Sequence, residues 1–155
     1  MSSVDVRCVA PDGTDLLLFD GPLVEVEITG PIPMLRFREK HGLTPFPVAR
    51  GLALLDTGAA VSAVDVSVFN ELEIPSVTSE IVRTAHGLSE LDRYNASVRF
   101  TQLDNHSQPL DLVMGGHFGY ELSDGRALIM LVGRDLLQRG ELRYNGPNAS
   151  FSFSL

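Results

Sequence analysis

Apolar residues recur along the chain in short runs separated by Gly, Pro, Asn and Asp. In Leu23–Thr29, Val24, Val26 and Ile28 alternate with Glu25, Glu27 and Thr29, the period-two mark of a half-buried strand. An apolar run at 16–19 precedes it. Asp20-Gly21-Pro22 between the two reads as a turn, so a hairpin is expected over 16–29. Residues 51–55 form a compact apolar strand that ends at Asp56-Thr57-Gly58. Val64, Val68 and Leu72 recur at four-residue spacing and predict a short helix over 64–73, closed by Pro75. Strands are expected at 80–84 and 93–101, flanking a polar tip at 85–92, and again at 110–114 and 127–132. Residues 135–139 predict a helical turn or two stopped by Gly140. Residues 142–144 and 150–155 should pair around Asn145-Gly146-Pro147-Asn148, a strong turn sequence. Many short strands with little helix, and no alternating strand–helix units, predict an all-β fold.

Two stretches depart from this rhythm. Residues 1–15 are polar and expected to be loosely ordered. Residues 31–47 hold Pro31, Pro33, Pro45 and Pro47 beside Arg36, Arg38 and Lys40. Proline cannot donate to a sheet ladder, so this stretch reads as an insertion with one short helix near 35–41. No linker or low-complexity tract divides the rest, and residues 16–155 read as a single domain.

Composition narrows the function. The chain has 155 residues, 44% of them apolar and 21% charged, which suits a folded domain with a real core. Twelve Lys and Arg against twenty Asp and Glu give a net charge of −8. That balance argues against a nucleic-acid partner and against docking on anionic lipid. No apolar run approaches the roughly 20 residues that span a bilayer, and the N-terminus has no basic-then-apolar signal pattern. The single cysteine, Cys8, cannot form an internal disulfide. The expectation is a cytoplasmic protein.

The strongest local feature is Ala53-Leu54-Leu55-Asp56-Thr57-Gly58-Ala59. Apolar residues carry a strand through the core and an acid appears where it ends. Thr57 offers a hydroxyl to lock the turn, Gly58 allows close backbone approach, and Ala59 and Ala60 leave room beside the carboxylate. A carboxylate there is costly unless it is hydrogen-bonded or functional. Farther on, Ile129-Met130-Leu131-Val132-Gly133-Arg134-Asp135-Leu136-Leu137 repeats the pattern of apolar strand, glycine and short helix.

Together the two segments resemble the retropepsin-like aspartic proteases, single-domain dimeric acid proteases with an apolar-apolar-Asp-Thr-Gly-Ala motif and a later apolar-apolar-Gly-Arg-Asp/Asn-Leu-Leu motif. The resemblance covers roughly residues 23–155. It implies a closed acid-protease barrel with one short C-terminal helix and a β-hairpin flap. It implies catalysis by Asp56, Thr57 and Gly58, and substrate contacts from Ala59 and Ala60 and from Thr84, Ala85, His86 and Gly87 at the flap tip. Leu142-Arg143-Tyr144-Asn145-Gly146 and residues 151–155 look like the terminal hairpin of bacterial members. The main departures are the 31–47 insertion and the segment Gly115-Gly116-His117-Phe118-Gly119. Retroviral members carry an acid where this chain has Ala60, which pairs with the arginine matched by Arg134. Here Arg134 needs another partner, with Asp65 and Asp135 as candidates.

Cleavage without a covalent intermediate needs one group to activate water and another to protonate the carbonyl oxygen. Two close carboxylates sharing a proton supply both, and the chain has only one Asp-Thr-Gly. The expectation is a homodimer with Asp56 from each subunit at a two-fold axis, acting on extended polypeptide with no cofactor. The length points the same way, since both acids in one chain would need two such lobes. Residues 150–155 offer a strand edge either to the partner or to pairing within their own subunit. Other chemistry is weaker. His41, His86, His106 and His117 show no metal-ligand spacing. The 115–119 segment lacks a phosphate-loop ending and reads as a bend. Ser62 lies outside any nucleophile elbow, and Cys8 lacks an activating pattern. Two alternatives remain: a catalytically silent peptide-binding or dimerisation module on the same fold, and a structural β-domain in which Asp-Thr-Gly only forms a turn.

Overall fold

A computed structural model describes residues 2–103, 106–118, 120–122 and 125–155. In chain order its elements begin with β1 (Ser3–Arg7), α1 (Leu16–Asp20), β2 (Leu23–Thr29), α2 (Ile32–Lys40) and β3 (Ala49–Leu55). They continue with β4 (Ala63–Asp65), α3 (Val66–Glu71), β5 (Thr78–Thr84), β6 (Gly87–Phe100), β7 (Gln108–Gly116) and β8 (Tyr120–Glu121). The last are β9 (Ala127–Val132), α4 (Arg134–Leu137), β10 (Glu141–Asn145) and β11 (Ser150–Ser154). The fold is all-β, as the short alternating runs predict.

Six strands close a barrel in the order β2-β3-β9-β4-β7-β6, with β6 pairing back onto β2. Alternation explains the closure. Val24, Val26 and Ile28 of β2 point inward, where they meet Ala53, Val98, Met130 and Val132, all fully buried. A second sheet, β1-β11-β10, covers one end. Phe153 of β11 joins the layers by an edge-on contact with Phe100, ring centres 5.4 Å apart.

Several expectations change. Residues 16–19 form α1 rather than a hairpin strand. The Asp15 carboxylate accepts from the Leu18 N–H at 2.9 Å, and this cap outweighs the strand-like apolar run. Within 1–15, Ser3–Arg7 is a strand in register with β11, Val4 facing Phe153 and Val6 facing Phe151. The 31–47 stretch holds α2, with no buried residue. It is tied down where Thr29 Oγ1 donates to the Pro47 carbonyl and Arg38 sits over the Phe46 ring. In the β5–β6 hairpin Thr84 pairs Gly87, so the tip narrows from 85–92 to Ala85 and His86. Gly87, at φ +113°, supplies the turn. Gly115 and Gly116 belong to β7 rather than to a bend, while Gly119 lies outside the described residues. β10 and β11 pair around 146–148 as expected. However, β11 has β1 on its other side, so both its edges are filled within the chain and it offers none to a partner.

The barrel seam carries a half-buried carboxylate between two arginines. Glu27 on β2 lies opposite Arg99 of β6 and Arg50 of β3 and is ion-paired to both. Arg99 first, then Arg50, hold its carboxyl below the ordinary 4.5. With the folded value depressed, the unfolded chain binds protons more readily in acid. The seam's stabilisation is therefore complete above pH 4.5 and lost as pH falls through the lowered value. Glu27→Gln should cost about 2 kcal/mol at pH 7 and flatten the acid limb. Melting curves of both proteins from pH 3 to 7 check this.

Candidate active site

β3 and β9 run parallel, with Leu55 in register with Val132. This pairing places the two motifs side by side. The Asp56 N–H donates to the Val132 carbonyl at 2.9 Å, one last ladder bond before the chain turns. The half-buried Asp56 carboxylate then accepts from the Gly58 N–H through Oδ1 at 2.8 Å. A Cβ on Gly58 would lie 3.0 Å from that oxygen, so glycine keeps the donor close and the carboxylate accessible. Thr57 and Gly58 are exposed, Ala59 is half-buried and Ala60 exposed.

The second motif braces this loop. Arg134 donates through Nη1 to the Thr57 carbonyl at 2.7 Å. Backbone N–H groups of Arg134 and Asp135 donate to the carbonyls of Ala59 and Ala60. Beneath them Ser62, 1% exposed, donates through Oγ to Asp135 Oδ1 at 2.7 Å and through its N–H to Oδ2 at 3.0 Å. The Ser62 hydroxyl also accepts from the Gly133 N–H at 2.9 Å. Any Cβ on Gly133 would stand 2.6 Å from the Val61 carbonyl carbon.

Arg134 thus takes a backbone carbonyl where an acidic partner was expected. Asp135 is engaged by Ser62. Asp65 accepts from the Ser67 N–H, capping α3, and from the Phe118 N–H. The sequence pattern does not reveal the Ser62–Asp135 brace. Its signal was an Asp directly after Gly-Arg and a Ser shortly after Asp-Thr-Gly, two residues whose contact only the β3–β9 pairing reveals.

Thr84, Ala85, His86 and Gly87 sit together at the hairpin tip. Thr84 Oγ1 accepts from the His86 N–H and donates to the Gly87 carbonyl. No hydrogen bond links this group to residues 56–60 among the described residues, so tip and loop stand as two separate elements. At the hairpin root, Arg93 pairs Glu80 at 2.7 Å across β5–β6 and donates to the Leu112 carbonyl at 3.2 Å. Leu112 itself is left-handed, φ +54°, where β6 and β7 slip register. A cavity of about 360 Å³ lies there, between the root and Val61, Ser62 and Asp135, and its lining does not include Asp56.

Burial, with Asp15 and Asp20 nearby, pushes the Cys8 thiol up from its ordinary value, away from a reactive thiolate. Among the described residues no three His, Cys, Asp or Glu cluster to hold a metal, and no helix is long and apolar enough to cross a membrane.

No family model matches the chain, and no curated protein matches it. Among solved structures it is similar to the crystal structure of a retropepsin-like aspartic protease from Rickettsia conorii. The identity is 14% and the TM-score 0.47, over 99% of this chain and 93% of that one.

The brace should be measurable. Asp135→Ala strands the buried Ser62 N–H and hydroxyl and should cost about 3 kcal/mol. Asp135→Asn, which keeps one acceptor but sets an amide NH₂ against a donor, should cost less than Asp135→Ala. Urea unfolding midpoints of the three proteins test the ranking.

Proposed function

We propose that the chain is an aspartic endopeptidase that acts as a homodimer, with one Asp56 from each subunit facing the other across a two-fold axis. The observation that carries this reading is Asp56 itself: an acid at the end of a core strand, its Oδ1 held by the Gly58 N–H, in a loop locked by Arg134 on the Thr57 carbonyl. An ordinary turn aspartate needs no such brace from a strand and helix more than seventy residues away.

In this mechanism the two carboxylates share one proton, because like charges at short range do not both ionise. The ionised one takes a proton from water as it attacks the scissile carbonyl. Its partner protonates the carbonyl oxygen, and proton transfer to the amine completes cleavage. Thr57 and Gly58 fix the carboxylates, while Ala59 and Ala60 leave room for substrate backbone. The β5–β6 hairpin acts as the flap, with Thr84, Ala85, His86 and Gly87 closing over an extended polypeptide. No cofactor enters the reaction.

Incubation of the full chain with a peptide library from pH 3 to 7 tests this. Cleavage should appear toward acid pH, and Asp56→Asn should lower it by about 1,000-fold or more while leaving the melting curve intact. Cleavage that survives Asp56→Asn overturns the proposal. Peptide capture without cleavage would instead mark a silent binding module.

A further inference from the structure

We propose that Leu18 and Phe19 on α1 form the surface on which a second copy of this chain docks beside Asp56. The inference rests on the homodimeric reading above and adds the contact that holds the two copies together.

Leu18 is 70% and Phe19 72% exposed, although Leu17 between Leu16 and Leu18 is buried. The exposure does not come from a loose segment. Asp15 caps the helix, the Leu16 N–H donates to the Cys8 carbonyl, and the Gly21 N–H closes the end on Leu17. Two large apolar side chains are therefore held rigidly in water, at a cost that burial against a partner would remove.

Their place in the fold names the partner. Directly after α1, the Pro22 carbonyl accepts from the Leu55 N–H at 3.0 Å, and a Cβ on Gly21 would lie 2.8 Å from the Leu54 side chain. The helix thus sits at the end of β3 where Asp56 emerges. The site is incomplete in one chain, since it holds one acid. Bringing a second Asp56 within reach of the same water turns the two surfaces around these acids toward each other. In an isologous contact each α1 then enters the interface.

β11 and β10 are poorer routes. β11 is paired on both sides, and β10 carries Glu141 and Arg143 along its outer edge, charges that discourage strand addition. Asp15 and Asp20 at the two ends of α1 oppose an anionic lipid or nucleic-acid partner.

Sedimentation equilibrium on the full chain reads the contact. The wild type should sediment at twice 16.9 kDa. The double substitution Leu18→Glu with Phe19→Glu should weaken association by about 100-fold or more with its circular dichroism unchanged. Phe37→Glu, an exposed apolar residue on α2 at the far end of β2, should dimerise as the wild type does. Asp56→Asn should also remain dimeric, so loss of cleavage and loss of the contact are read separately. A wild type that stays monomeric at high micromolar concentration overturns the proposal, as does a double variant that dimerises undiminished. Should that variant not fold, Phe19→Cys in a Cys8→Ser background replaces it. Its thiol should react more slowly with a maleimide as the protein concentration rises into the dimer range, and Phe37→Cys in the same background should show no such protection. A Phe19→Cys thiol labelled at the same rate at every concentration overturns the contact. An α1-dependent dimer without peptidase activity sustains it while the endopeptidase reading falls.

Discussion

The close approach of Gly133 to the backbone of Val61 and Ser62 is the constraint from which the candidate site follows. At 2.6 Å from the Val61 carbonyl carbon there is no room for a Cβ. Only with that contact made can the Ser62 hydroxyl accept from Gly133 and donate to Asp135. Those bonds set the first turn of α4, and α4 sets Arg134 on the Thr57 carbonyl. The loop bearing Asp56 thus takes its position from this network as well as from its own Gly58 bond. A site on rigid elements, supported from behind by satisfied polar groups, holds its geometry better than one on a free loop.

The hairpin is organised differently. Its inner face near the root is tied by Arg93, which reaches Glu80 and the Leu112 carbonyl, and the left-handed Leu112 stores backbone strain there. Toward the tip, Ile81 and Leu88 are largely exposed, and Thr84 bonds locally to His86 and Gly87. Under the proposed function, a braced floor and a hairpin tied at its root suit a cleft that admits a long chain and then closes.

Much of this was legible in the sequence where burial is one-sided. β2 and β11 alternate cleanly because each has one wet face, and the apolar run of β9 stands out because it crosses the core. The Asp-Thr-Gly and Gly-Arg-Asp segments were visible as patterns, and the two motifs together carried the resemblance. The helix α1 was hidden because four consecutive apolar residues look like a strand, and only the Asp15 cap decides otherwise. The β5–β6 strands run farther than expected because a hairpin wet on most sides carries no hydrophobic period. Ser62 with Asp135, and Arg134 with Thr57, could not be read, since each pair joins residues more than seventy positions apart. A sequence offers donors and acids but not which backbone carbonyl will lie within reach.

Charge gives the exposed face of α1 its weight in the proposed assembly. Each copy carries −8, and a two-fold axis at Asp56 gathers two copies of Asp15, Asp20 and Asp56 into one region. Salt at physiological strength screens charges beyond about 8 Å, so distant repulsion is muted while repulsion at the contact is not. Ion pairs have little to offer there, because exposed pairs contribute only about 0–1 kcal/mol. What remains to offset the gathered acids is apolar burial. Near the end of β3 the sequence supplies it in two neighbouring side chains, Leu18 and Phe19, on a helix too short to be stable without its cap. The residue that turns this stretch from strand into helix, Asp15, therefore also decides whether the apolar pair is presented at all.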